Sequence, residues 1–193
     1  MSIFCKRKPM TMKEVKARVA GSGTIEEVKE GVFELNFVNG NKWIIDTTVA
    51  KIPVDNEVLK RDYFQDKLDF GEYIAGRTQM FGKNRIIEVI IGHSGKKHTL
   101  SHEVFEASWA MLTDYEQHNL LKYFGNRENV ANAYADYLES KIAAKEAMPI
   151  FRKIRIFLNT LKNYFKYHHD VFTVFKKIET GVIANRVFYD DEL

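Results

Sequence analysis

His102 and Glu106 stand four positions apart in Thr99-Leu100-Ser101-His102-Glu103-Val104-Phe105-Glu106. On a helix of ~3.6 residues per turn they leave the same face one turn apart, with Glu103 adjacent and offset. An imidazole and a carboxylate so placed can hold one divalent ion. Zinc lowers the pKa of a water it holds towards ~7, and the offset carboxylate can accept that water's proton as it attacks a polarised carbonyl. The spacing is that of a His-Glu-x-x-His helix, with a glutamate, Glu106, where the second histidine would stand.

A helix is needed to present these side chains, and the surrounding pattern supplies one. Thr99 is a suitable N-cap for a helix running to about Leu112. Before it, Ile86-Ile87-Glu88-Val89-Ile90-Ile91 is apolar enough to lie inside a sheet, and residues 92–97 form a polar loop. Residues 72–80 and 84–91 read as two strands joined around Gly82. After it, Thr113-Asp114-Tyr115-Glu116 has capping-box spacing, Gly125 suits a helix end, and Asn126 can cap a helix over 127–145. That helix places Val130, Tyr134, Leu138 and Ile142 on one face.

The N-terminal part is β-rich. Phe33, Leu35 and Phe37 alternate with Glu34 and Asn36, and Asn39-Gly40 leads into Lys42-Trp43-Ile44-Ile45, a hairpin signature. A short helix is expected over 11–18, interrupted by Gly21-Ser22-Gly23. Pro53 and residues 55–69 suggest a loop and a helix with Val58, Leu59, Tyr63 and Phe64 as apolar contacts. Beyond Pro149, residues 151–167 are amphipathic, and residues 171–178 form a last amphipathic piece before Gly181.

A hydrophobic share of 45% in 193 residues is enough for a folded core and excludes a disordered chain. The single cysteine, Cys5, excludes an intramolecular disulfide. No apolar run reaches the ~20 residues that span a bilayer, so the sequence predicts a soluble, cytoplasmic protein without a membrane partner. A net charge of +3 selects no partner by itself. The basic residues are concentrated on the 151–167 segment, where Arg152, Lys153, Arg155, Lys162 and Lys166 are interleaved with aromatic residues. This stripe is either a solvated helix face or a surface for nucleic acid or an acidic host protein.

The order strand, loop, helix, the His102-Glu103-Val104-Phe105-Glu106 core and the downstream Glu128-x-x-Ala131-x-x-Tyr134 together resemble the zincin metallopeptidases, specifically compact gluzincin-like forms. Residues 72–142 carry the resemblance. The C-terminal segments are similar to helices that accompany zincin-like domains in polyvalent proteins of bacteriophages and mobile elements. The resemblance implies an α+β fold, with a β-rich portion and zincin-like core over 1–145 and a basic helical extension over 146–193. It makes His102 a zinc ligand, Glu103 the general base and Glu128 the third ligand, with Glu106 as the remaining one. A His/Glu/Glu set adds negative charge and shifts preference towards harder metals than Zn2+. Two functions follow: a phage-associated metallopeptidase or divergent metal hydrolase acting on peptide or protein, and an inactive zincin-like module that binds a host protein or nucleic acid through its basic helices.

Other residues have plainer readings. His93 and His98 can serve as substitute ligands or simply face solvent, and His118 is expected to face solvent. Trp109, Met111 and Leu112 belong to a core. Tyr123 and Tyr134 are candidates for oxyanion stabilisation, Tyr134 fitting better as packing. His168 and His169 are neighbours and point in different directions on a helix.

Overall fold

The computed structural model describes residues 8–19, 21, 23–49, 52–53, 68–69, 73–74, 76–81, 86–92, 97–146, 159 and 169–186. Within them the chain is α+β. The strands are β1 (Thr24–Lys29), β2 (Val32–Asn36), β3 (Lys42–Asp46), β4 (Ile52–Pro53), β5 (Leu68–Asp69), β6 (Tyr73–Ile74), β7 (Gly76–Phe81) and β8 (Ile86–Ile91). The helices are α1 (Met12–Lys16), α2 (Lys97–Trp109), α3 (Asp114–Phe124), α4 (Arg127–Glu146) and α5 (His169–Glu179).

A five-stranded sheet has the order β1-β2-β3-β8-β7. Its pairs are antiparallel except β3 with β8, which run parallel. A small antiparallel sheet joins β4, β6 and β5. Side chains alternate across a strand, so the register fixes what lies on the helix-covered face. One row runs Leu35, Trp43, Ile87 and a second Phe33, Ile45, Val89, all buried. The second row continues into Thr78 of β7, and Gly76 lies opposite Ile91. Thr78 and Gly76 therefore face α2, whose near neighbours in the sheet are β7 and β8.

The predicted hairpin is present: β2 and β3 pair as a regular ladder, closed by a turn in which Gly40 takes φ +88°. Of the two strands predicted over 72–80 and 84–91, Gly76–Phe81 and Ile86–Ile91 pair, with β8 inside the sheet, whereas Tyr73–Ile74 belongs to the small second sheet. Strand β1 was not foreseen, because it lies at an edge, is largely exposed and carries a bulge that breaks its alternation. Pro53 sits in a two-residue strand rather than a loop. Val58, Leu59, Tyr63 and Phe64 lie outside the described residues.

The site-bearing helix begins earlier than its sequence suggests. Thr99 is not its cap but lies in the first turn, since α2 starts at Lys97. Tertiary contacts account for the extra residues: Lys97 Nζ pairs with Glu14 Oε1 at 2.8 Å, and His98 Nε2 lies 3.0 Å from Asp136 Oδ1. At the other end, Met111 and Leu112 donate to Ser108 and Trp109 in tightened turns, ending the helix at Trp109. The Thr113 capping box is formed with Glu116, and the Gly125 N–H bonds Leu121 at 2.8 Å with φ +81°. Asn126 Oδ1 accepts from the Asn129 N–H at 2.8 Å, capping α4 as anticipated.

The C-terminal segment packs into the same core. Phe175 of α5 lies among Phe105, Phe124, Tyr134 and Tyr137. Among the described residues, no helix is long and apolar enough to cross a membrane.

Candidate metal centre

Helix α2 is buried from Leu100 to Ser108, a span that contains Ser101, His102, Glu103, Glu106 and Ser108. Burying such groups without hydrogen bonds is costly, so their partners reveal what the helix is built against. Ser108 Oγ bonds back to its own helix at the Val104 carbonyl, 2.8 Å away. Ser101 Oγ donates to Glu139 Oε1 of α4 at 2.6 Å, and Arg18 grips the same carboxylate with two bonds of 2.7 Å.

The remaining polar groups follow the antiparallel packing of α2 on α4. Each turn along α2 meets one turn back along α4: His98 meets Asp136, His102 meets Asn132, and Glu106 meets Glu128. The middle rung sets the chemistry of the histidine. Asn132 Oδ1, an acceptor, lies 3.0 Å from His102 Nδ1, so the neutral ring carries its proton there and Nε2 holds the lone pair. That Nε2 is 3.6 Å from Glu128 Oε1.

His102, Glu106 and Glu128 each offer one ligand atom, all within 4.8 Å of one another. Donors at ~2.1 Å from one tetrahedral ion lie ~3.4 Å apart. The His102–Glu128 separation is already close to that value, and the wider spacing in the group falls within a small side-chain adjustment. One imidazole and two carboxylates form a donor set suited to a divalent cation. The residues fit the metal.

Glu103 occupies a different face. Its Oε2 accepts from Thr78 Oγ1 at 2.8 Å, and its backbone carbonyl lies 3.2 Å from the same hydroxyl. Gly76, in the same strand, leaves room for it: a Cβ there would stand 2.8 Å from Glu103 Cγ and Oε1 and from Thr99 Cγ2. Glu103 is thus turned towards β7 and held there, adjacent along the helix to the metal-ligand candidate His102.

Glu106 is engaged from the other side. Arg127, the first residue of α4, forms an ion pair with Glu106 Oε2 and donates to the Glu106 carbonyl at 3.2 Å. Its guanidinium carbon lies 5.3 Å from the centre of the Trp109 ring, a cation–π contact.

The structure brings the three candidate ligands together, with Glu103 next to His102 in the chain and turned towards β7. Other candidates are placed elsewhere. His98 pairs with Asp136 in the first turn of α2, and His118 and His169 are exposed. Tyr134 is enclosed by aromatic rings, and burial, with Glu179 and Tyr137 nearby, raises its pKa well above the ordinary phenol value. It is a packing residue. Tyr123 is half-buried. Trp109 packs against the core, and Met111 and Leu112 lie inside it. Arg152, Lys153, Arg155, Lys162 and Lys166 lie outside the described residues, as do Cys5, His93 and His168.

Thr78, Gly76, Asn132 and Arg127 join the site without having been singled out in the sequence. Asn132 carried a signal, since it stands one helical turn after Glu128. Arg127 carried only adjacency to Glu128, and Thr78 and Gly76 depend on strand register. No family model matches the chain, and no curated protein or solved structure matches it.

Proposed function

We propose that this chain is a zincin-like, metal-dependent hydrolase that cleaves peptide bonds. The observation that carries the reading is the convergence of His102, Glu106 and Glu128 from two antiparallel helices, with Glu103 buried next to His102. A bound divalent ion would supply Lewis-acid activation of water and of the scissile carbonyl. His102, Glu106 and Glu128 are the residues that would hold it.

The chain's own groups divide the remaining work. Asn132 fixes the His102 ring and its tautomer. Glu103 accepts the proton of the attacking water at its carboxylate and passes it to the departing amine. Thr78 holds that carboxylate by its hydroxyl, limiting its swing. The outer edge of β7 has no strand on it among the described residues and runs beside Glu103, a position that suits addition of an extended peptide. The peptide class follows from this edge together with the zincin resemblance.

Two measurements test the reading. Elemental analysis of the purified protein should find close to one divalent ion per chain, lost in His102→Ala. Glu103→Gln should retain the ion and lower peptide hydrolysis by about 10²- to 10⁴-fold, the usual contribution of a general base. A chain that takes up no divalent ion, or a Glu103→Gln protein that hydrolyses peptides at the parental rate, would overturn it.

A further inference from the structure

We infer that Arg127 is a positioning residue that offsets the charge of Glu106, so that this carboxylate serves the metal as a nearly neutral donor. The inference rests on the metal-centre reading above. His102 is neutral as a ligand, whereas Glu106 and Glu128 together bring two negative charges to one ion. Two carboxylates cancel a divalent charge and weaken its pull on further ligands. One of the two carboxylates stands against an arginine: Arg127 meets Glu106.

The geometry favours compensation over simple helix fastening. Arg127 engages Oε2 of Glu106, while a carboxylate needs only its other oxygen, Oε1, for single-point coordination; Oε1 is buried in the same region. The second Arg127 bond, to the Glu106 backbone carbonyl, fixes the guanidinium relative to the same residue. The Trp109 ring backs it from the end of α2. An arginine in the first turn of α4 also stands against the helix dipole, whose N-terminal end favours acidic residues such as the neighbouring Glu128. Its place there is thus set by what it faces rather than by the helix it begins.

Compensation and fastening predict opposite effects on metal affinity. A cation beside a ligand repels the metal and competes for its carboxylate. Removing that cation should therefore tighten binding, whereas removing a strut should loosen it.

The experiment strips the full chain of metal and titrates it with Zn2+ against a chromophoric chelator, then with Co2+ followed by visible absorption. Wild type, His102→Ala, Arg127→Gln, Arg127→Met and Arg127→Lys are compared, with circular dichroism of each metal-free protein as the folding control. Arg127→Gln or Arg127→Met should bind Zn2+ about ten- to a hundredfold more tightly than wild type, the scale of one unit charge at short range. The Co2+ spectrum should change in both and return towards wild type in Arg127→Lys, which restores charge. Either neutral variant, if folded, is sufficient to decide.

Unchanged or weaker Zn2+ binding in the folded neutral variants, with wild type binding and His102→Ala not, overturns the inference and leaves the metal centre standing. Absence of binding in wild type and in both neutral variants overturns the metal centre and the inference with it. Binding that emerges only when the arginine is neutralised overturns the metal centre of the native chain and the inference with it.

Discussion

At the scale of single residues, the site is a chain of hydrogen bonds in which each ligand candidate is steered by a neighbour. His102 depends on Asn132 for its tautomer and ring angle. Partners of this kind affect metal affinity by about 10- to 100-fold. Asn132→Ala should therefore weaken Zn2+ binding by that factor in a chelator-competition titration, while Asn132→Asp, which keeps an acceptor at the ring, should restore it. The candidate ligands His102 and Glu106 were readable in the sequence, because they share a helical face by spacing alone. Glu128 entered through family resemblance, and the structure brings it within 4.8 Å of both. Arg127 was not readable: its role depends on the antiparallel contact between two helices, which no local pattern specifies.

At the scale of elements, the register of β7 on β8 decides what faces α2. Alternation puts Thr78 and Gly76 on that face, one holding Glu103 and the other making room for it. Gly76→Ala would place a methyl 2.8 Å from the Glu103 carboxylate arm. The flexible side chain can yield, so the fold should survive at a cost of about 1–2 kcal/mol, within the range for overpacking. Glu103, the base of the proposed reaction, is displaced, and a misplacement near 1 Å lowers turnover by about 10²-fold. Peptide turnover should fall by that factor while metal content stays unchanged, a split that kinetics and elemental analysis together can check. The strands of this region were legible as apolar runs. Their partners were not, since β3 and β8 pair in parallel across residues 47–85 and nothing local announces the match.

At the scale of the whole molecule, the C-terminal segment is clamped to the rest by a few charged and polar groups. Lys177 and Arg186 both reach the buried Glu116, at 2.8 Å and 2.5 Å. Lys141 reaches Glu179 at 2.5 Å. The side-chain amide of Asn41 donates to the Ala184 and Arg186 carbonyls, and that of Asn39 to the Asn185 and Arg186 carbonyls. Burial alone would raise the Glu116 pKa, but Arg186, Lys177 and the Thr113 N–H outweigh it and hold the carboxyl at about 2, against an ordinary value of 4.5. A lowered folded pKa means that this stabilisation is fully present above pH 4.5 and is lost as pH falls towards 2. Acid titration should reduce the melting temperature across that window. Glu116→Gln should flatten the dependence and cost about 2 kcal/mol at neutral pH, the scale of hydrogen bonds to charged groups. The amphipathic segment before Gly181 was visible from sequence. Its attachment was not, because Glu116 read as a cap for its own helix and does serve as one, while also receiving two cations from distant positions.

The parallel seam between β3 and β8 also sets an order of events during folding. Strands β1 to β3 form a meander whose contacts are close along the chain, so it can close early. Lys42 pairs with Ile86, and bringing those positions together requires closure of a long loop before any of the contacts that reward it exist. Helix α2 follows β8 directly in the chain and lies against it. Assembly of the candidate centre therefore waits on the slowest kind of step in this topology. A chain interrupted at that step keeps its hairpins but has not yet assembled the His102, Glu106 and Glu128 group, so the candidate centre belongs to the final stage of folding.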